Sequence, residues 1–474
     1  MPGGRLRKRR SQSILTCLGG ALLLVLGVPH RHTVAATVAP ELEWEKWFGE
    51  EMTREVGWAV VQSRDDDLVI AGTSKDGADF RVYLVRLSKD GNLRWEYTYG
   101  EQIYGVACIQ ETRDLGYVVI GSVDRGVPFP GYTDVYFLKT DLGGQVVFEK
   151  SIGGTDRNAG TWVHQTRDDG FVIAATTTKS QGATTQSFLI KTDVDGNRIW
   201  ERRFTTFSGI RVSFVDEAPD GGLILAGSAG QVNPEMYLAR TDHFGDVIWE
   251  EKYGPSAATS VACAQEGGYI AIGHGGLSTV RVVRIDPTGA RLSEIVIDSP
   301  FSDDVYPPRF TRDGGYIFPC RYDGVQCGIA LVRSDPNGTI AWTRKFSKSS
   351  ENACAGSVIQ ENAGGYVLIG GVGGDIYGAR TKPDDLDSQY FLRGDSNSDG
   401  FVDISDCIST LEWLFLGATE PACIAALDSN DTGTVDLSDP IYTIMFLFNG
   451  DGRIPPPYPL RGIDPSLDNL RCRS

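Results

Sequence analysis

The sequence predicts an all-β protein, a seven-bladed β-propeller of antiparallel four-stranded blades, followed by a small α-helical module. Three observations carry that prediction. A glycine-led apolar strand recurs seven times at a nearly constant interval. An Asp-Gly turn and an aromatic strand recur with it. Beyond the last repeat, an acidic twelve-residue pattern occurs twice, each copy followed by an apolar run at helical spacing.

The chain of 474 residues opens on a basic segment, Arg5, Arg7, Lys8, Arg9 and Arg10. An apolar stretch from Ile14 to Val28 follows, and then the small-residue site Val34-Ala35-Ala36. This order predicts a signal peptide over residues 1–36 and a secreted or cell-surface protein. The apolar stretch falls short of the roughly 20 residues that span a bilayer, so no membrane insertion is expected after cleavage. The net charge is -17, and loss of six basic residues with the leader would make it -23. Such a surface is repelled by nucleic acid and by anionic membranes.

The repeat occupies residues 41–385. Its strands read DDLVIAG, GYVVIG, GFVIAA, GLILAG, GYIAIG, GYIFPC and GYVLIG, ending at Gly72, Gly121, Ala175, Gly227, Gly273, Cys320 and Gly370. A period near 50 in strand-rich sequence predicts a propeller, because one unit cannot bury both faces of its own sheet. After a variable loop comes a second strand (VYLVRLS, VYFLKTD, SFLIKTD, MYLARTD, VRVVRID). A turn then follows, as in KDGN at 89–92 or DVDGN at 193–197. The last strand carries an aromatic: Trp95, Phe148, Trp200, Trp249 and Trp342, with Leu292 and Ser293 in the fifth copy. One large residue per blade at a fixed place predicts packing between blades. The seventh copy lacks this strand, and the N-terminal segment LEWEKWFG, with Trp44, has no blade before it. The N-terminal strand is therefore expected to complete the last blade and remove two open sheet edges.

Eight cysteines remain after the leader, an even count that permits disulfides in an exported protein. Cys320 with Cys327 across an Asp-Gly hairpin, and Cys423 with Cys472, are the candidate pairs. Cys108 and Cys263 are expected in the core.

The two acidic patterns are DSNSDGFVDISD, Asp395 to Asp406, and DSNDTGTVDLSD, Asp428 to Asp439. Each has side-chain oxygens at positions 1 and 3, glycine at 6, an apolar residue at 8 and a carboxylate at 12, which is the chemistry of a calcium loop. The expected ligands to two Ca2+ ions are Asp395, Asn397, Asp399, the Phe401 carbonyl, Asp403 and Asp406 in the first loop. In the second they are Asp428, Asn430, Thr432, Thr434, Asp436 and Asp439. Asp431 is expected to point outward. The runs 411–417 and 441–450 predict helices that bury Leu411, Leu414, Phe415, Ile444, Leu447 and Phe448 against each other.

Residues 386–474, with this duplicated loop and helix, resemble the type I dockerin module of secreted bacterial proteins. The repeats resemble secreted bacterial propellers in the broad quinoprotein-like class. The dockerin resemblance implies docking onto a cohesin-like or cell-surface protein, in assemblies that break down polysaccharide. It also implies recognition through loop positions 10 and 11, here Ile404 and Ser405, Leu437 and Ser438; position 10 is apolar in both loops.

Within the repeats no G-x-S-x-G elbow or H-E-x-x-H pattern occurs. His164, His243 and His274 lie in different repeats with no metal-ligand spacing. The loop DRGVPFPGYTD offers Phe129 and Tyr132, stiffened by prolines, as a platform for a sugar ring or a peptide. A polysaccharide lyase or glycosidase would assemble paired carboxylates from different loops, and Asp303 and Asp304 beside Tyr306 are one candidate set. The expected function is a non-catalytic propeller that binds carbohydrate or protein. A polysaccharide-cleaving enzyme and a structural surface protein are the alternatives.

Overall fold

Alternating strands joined by tight turns should pair with their sequence neighbours, and they do so throughout. The computed structural model describes residues 38–49, 54–76, 79–126, 132–154, 156–178, 185–264, 267–275, 278–301, 305–322, 328–346, 353–362, 364–372, 375–384, 391–398, 402–419, 421, 423–449, 453–455, 457–458, 470 and 472. These residues form seven antiparallel four-stranded sheets, the blades of a propeller. Blade one comprises Arg54–Gln62, Leu68–Asp76, Asp79–Leu87 and Leu93–Tyr99. Blades two to six follow in order, opening at Ile103, Arg157, Arg211, Ala257 and Arg309. Blade seven comprises Ala353–Gln360, Tyr366–Val372 and Asp375–Thr381, and its outer strand is the N-terminal Leu42–Phe48. Trp44 pairs there with Arg380 and Phe48 with Ile376, so the two ends of the repeat region close the ring.

The repeating glycines have a steric cause. In six blades the innermost strand carries a bulge at the same level, for example between Gly57 and Ala59 and between Val106 and Cys108. The bulge carries the inner-strand backbone onto its neighbour. A Cβ at Gly72 would lie 2.3 Å from the Val56 carbonyl oxygen, and one at Gly121 would lie 2.2 Å from that of Gly105. The aromatic of the last strand covers the Asp-Gly turn of the next blade, as expected for packing between blades. A Cβ at Gly196 would meet the Phe148 ring at 2.8 Å, and one at Gly245 the Trp200 ring at 2.7 Å.

A buried or half-buried cation near the end of the third strand, paired with a carboxylate in six of the seven blades, was not foreseen. Arg86, Lys139, Lys191, Arg240 and Arg333 each pair with an aspartate in the first turn of the same blade: Asp65, Asp114, Asp168, Asp220 and Asp313. Arg380 pairs with Glu361 in the same way. Neighbouring first turns are also linked. The backbone N–H of Arg64, Arg113, Arg167, Arg312 and Asn362 donates to the side chain of Glu111, Gln165, Glu217, Gln360 and Gln62 on the next blade. The link fails between blades four and five, where Pro219 has no N–H and Cys263 stands at the acceptor position. Cys263 is exposed there, a correction to its expected core placement, while Cys108 is buried as expected. Gln360→Ala should therefore lower stability by about 1 kcal/mol, and Cys263→Ala by much less, in denaturant melts.

Blade six departs from the pattern. Pro307 and Pro308 interrupt its inner strand, leaving only Arg309–Phe310 and an isolated bridge from Val305 to Cys320. From there the Arg309 guanidinium reaches across the ring to lie 5.9 Å from the Trp162 ring centroid of blade three. One side chain thus reaches across the central channel at this level.

Three helices follow the propeller: α1 (Ile404–Leu416), α2 (Ile424–Leu427) and α3 (Ser438–Asn449). α1 begins seven residues before the apolar run suggested, because Asp403 caps it. α1 and α3 pack together. Phe415 and Phe448, expected between them, are instead 63% and 70% exposed. A disulfide joins Cys423 to Cys472 across a separation of 49 residues. Cys320 is a free buried thiol, and Cys327 lies outside the described residues. Among those residues no helix is long and apolar enough to cross a membrane.

Candidate functional site

Antiparallel order places the second-to-third-strand hairpins and the blade-to-blade links on one face of the propeller. The first turns with their ion pairs lie on the other. Among the described residues, two cavities open on the first face. One, of about 400 Å3, lies between blades one and two and is lined by Val56, Trp58, Thr73, Lys75, Phe80, Tyr104, Gly105 and Val106. Tyr104 is 75% exposed, and Trp58 and Phe80 are 41% exposed each. Trp58 Nε1 donates to Thr73 Oγ1 at 3.3 Å, and the Lys75 ammonium lies 5.0 Å from the Phe80 centroid. The other cavity, of about 480 Å3, spans blades three to five and is lined by hydroxyls such as Thr161, Thr178 and Ser228, with Arg211 and His274.

The aromatic cluster was not foreseen, yet a signal for it exists. Trp58 is the extra residue of the blade-one bulge. The matching residues in other blades are Ala107, Thr161, Ser213, Thr259 and Gly356. The threonines and the serine bond to strand carbonyls, as Thr161 does to Val212 at 2.8 Å. A tryptophan in that series cannot fold into the same space and turns out to the face.

The expected platform is only partly in view. Tyr132 is half-buried, and its carbonyl accepts from the Arg125 N–H at 2.9 Å. Arg125 Nε donates to Asp134 at 2.7 Å, which ties both ends of this loop down. Phe129 lies outside the described residues, as do Asp303 and Asp304. His164 serves packing: its Nδ1 lies 3.3 Å from Asp216 on the next blade, and burial holds its pKa below the usual value.

In the C-terminal module the two loops repeat one hydrogen-bond pattern. Asp406 accepts from the N–H of Ser396 (2.8 Å), Asn397 (3.2 Å) and Asp403 (2.8 Å). Asp439 accepts from Asn430 (3.4 Å) and Asp436 (2.8 Å). Asp403 and Asp436 accept from Ser405 and Ser438, both at 2.7 Å. Asn397 and Asn430 donate Nδ2 to Ser405 and Ser438, both at 2.8 Å. That last contact turns each Asn Oδ1 away from the serine, and the Asn430 Oδ1 is buried with no hydrogen-bond partner. Asp428 and Asp439 are fully buried. Burial, with Asp428 and Asp436 nearby, pushes the Asp439 carboxyl up to about 6. Asp431 does not point outward: it lies 2.9 Å from Nη2 of Arg393, which is itself fully buried and donates to the Asp428 carbonyl at 2.8 Å. Asp399 and Phe401 lie outside the described residues, and among the described residues no three His, Cys, Asp or Glu side chains form a metal cluster. The two buried carboxylates and the orphaned amide oxygen are each a hard-oxygen donor, the kind calcium takes.

No protein-family model matches the chain, and no curated protein matches it. Solved propeller structures do. A catalytically inactive virginiamycin B lyase from Staphylococcus aureus with quinupristin is 13% identical, over 71% of this chain and 99% of that one, with a TM-score of 0.45. The Dos1 propeller is 11% identical over 73% and 95%, with a TM-score of 0.44. Puromycin hydrolase is 15% identical over 75% and 59%, with a TM-score of 0.41. Likenesses at this level carry no argument about function.

Proposed function

We propose that this chain is an exported, non-catalytic recognition protein. Its propeller presents a face that binds carbohydrate or protein. Its C-terminal module is a calcium-dependent, dockerin-like unit that attaches the propeller to a cohesin-like or cell-surface protein. The observation that carries this reading is a duplicated apolar surface. Ile404, Ile408 and Phe415 on α1 have counterparts in Leu437, just before α3, and in Ile441 and Phe448 on α3, and all six are exposed. Side chains of this kind, repeated on two helices and left uncovered, mark a surface made for a partner.

The loops set the orientation of those helices. Bound calcium would supply the positive charge that offsets the carboxylates of the two loops. Asp395, Asn397, Asp399, Asp403 and Asp406, with the Phe401 carbonyl, would hold it in loop one. Asp428, Asn430, Thr432, Thr434, Asp436 and Asp439 would hold it in loop two. Thr432 leaves loop two one charge short, so it should be the weaker site.

The test is calorimetry of the full chain against a panel of cohesin modules, in calcium and in chelator. Binding that needs calcium and falls at least about tenfold in Ile408→Asp with Ile441→Asp supports the reading. Calcium-loaded protein that binds none of the panel, or binds equally through the double variant, overturns it.

A further inference from the structure

The cavity between blades one and two has the chemistry of a sugar site, and its charge narrows the class of sugar. We propose that it binds a hexuronate residue of an acidic polysaccharide. The proposal rests on the reading of the propeller as a recognition unit and names its ligand.

Three aromatic side chains open into one cavity of about 400 Å3, within the range of small-ligand sites. They stand on strands, not on a long loop. Trp58 is the bulge residue of Arg54–Gln62, Phe80 lies in Asp79–Leu87, and Tyr104 lies in Ile103–Glu111. The bond from Trp58 Nε1 to Thr73 fixes the indole, so little side-chain entropy remains to be lost on binding. Flat, rigid rings of this kind suit the C–H face of a pyranose, while Thr73 and Lys75 offer polar groups at the edge for hydroxyls. An extended peptide would need a longer groove than this half-enclosed cavity supplies.

Charge complementarity selects the acid. The chain carries -17, yet among the described residues no carboxylate lines this cavity, and the charged side chain that does is Lys75. Lys75 has no ion-pair partner among the described residues. A sugar carboxylate beside that ammonium would gain a charge-assisted hydrogen bond in a half-enclosed site. Elsewhere the acidic surface would repel the same ligand, confining it to this place.

The geometry also supplies a clean block. Gly105 lines the cavity, and a Cβ built on it meets nothing within 4 Å. Gly105→Leu should fill the site without disturbing the blade. The experiment is calorimetry of the full chain with tetragalacturonate and with its methyl ester, the same backbone without the charge. The expected result is binding of the acid, at least about tenfold weaker binding of the ester, and loss of acid binding in both Gly105→Leu and Trp58→Ala. Lys75→Met should bind acid and ester alike. The proposal is overturned if the acid does not bind, if Gly105→Leu with an unchanged melting temperature binds as well as the parent, or if the ester equals the acid. It is also overturned if an acidic peptide displaces the sugar and binds more tightly. None of these outcomes touches the docking surface on α1 and α3. Release of shorter oligosaccharides would instead overturn the non-catalytic reading and leave the site standing.

Discussion

Arg333→Ala should destabilise the propeller by about 3–5 kcal/mol, the largest single-residue effect expected in the ring. Arg333 is fully buried, as are Asp313 and Asp384 beside it. Its Nη2 contacts Asp313, and its Nε donates to the Tyr366 hydroxyl at 2.9 Å. Tyr366 in turn donates to Asp384 at 3.0 Å, and Trp342 Nε1 donates to the same carboxylate at 2.9 Å. Burial opposes the guanidinium charge, but Tyr366 and the two carboxylates hold its pKa above the ordinary value. Removing the cation strands two buried carboxylates with no water to solvate them. The equivalent change at blade two, Lys139→Ala, should cost less, because Asp114 is open to solvent. Denaturant melts of the two variants check the ranking; equal losses would mean that the buried network is not what holds blade six to blade seven.

Chelation should unfold the C-terminal module and leave the ring folded. Among its described residues the module has few fully buried apolar side chains, chiefly Phe391, Leu392, Ala425, Ala426, Leu427 and Ile454. So small a core is marginal without metal or crosslink. Arg393 couples the loops, since it lies just before loop one and pairs with Asp431 of loop two; losing metal from one should loosen both. Proteolysis in chelator should remove the segment after residue 390 and spare the blades, and unchanged resistance would refute this. The metal-free module should also depend on pH. The folded-state pKa of Asp439, about 6, lies above the ordinary carboxyl value near 3.9. The folded state therefore holds its proton longer than the unfolded state does. That contribution is fully present below about pH 4 and is lost as pH rises through about 6. Calcium should reverse the trend, since it binds the carboxylate form. Circular dichroism of the metal-free chain at pH 5 and pH 7 checks the sign.

The period of the glycine strands, the seven copies, the closing strand at Trp44 and the two acidic loops were all legible in the sequence. Each strand, turn and loop is a short-range pattern, and comparing the copies with one another was enough to give the period and the missing strand that Trp44 supplies. The Cys423–Cys472 bridge was legible as a candidate pair, since cysteine chemistry admits few partners. What the tertiary structure decided are matters of register and approach between distant segments. Trp58 and Tyr104 open into one cavity only because a bulge turns the tryptophan out of its blade and the next blade brings the tyrosine beside it. Arg333 finds Asp313 and Asp384 through strand pairing that no local spacing reveals. The exposure of Phe415 and Phe448 depends on the rotation of two helices whose apolar periodicity fits burial equally well. Asp431, assigned outward from its place in the loop, is drawn in by Arg393, which lies 38 positions earlier in the chain. Local chemistry set the elements and the donors, and long-range packing set which of them meet.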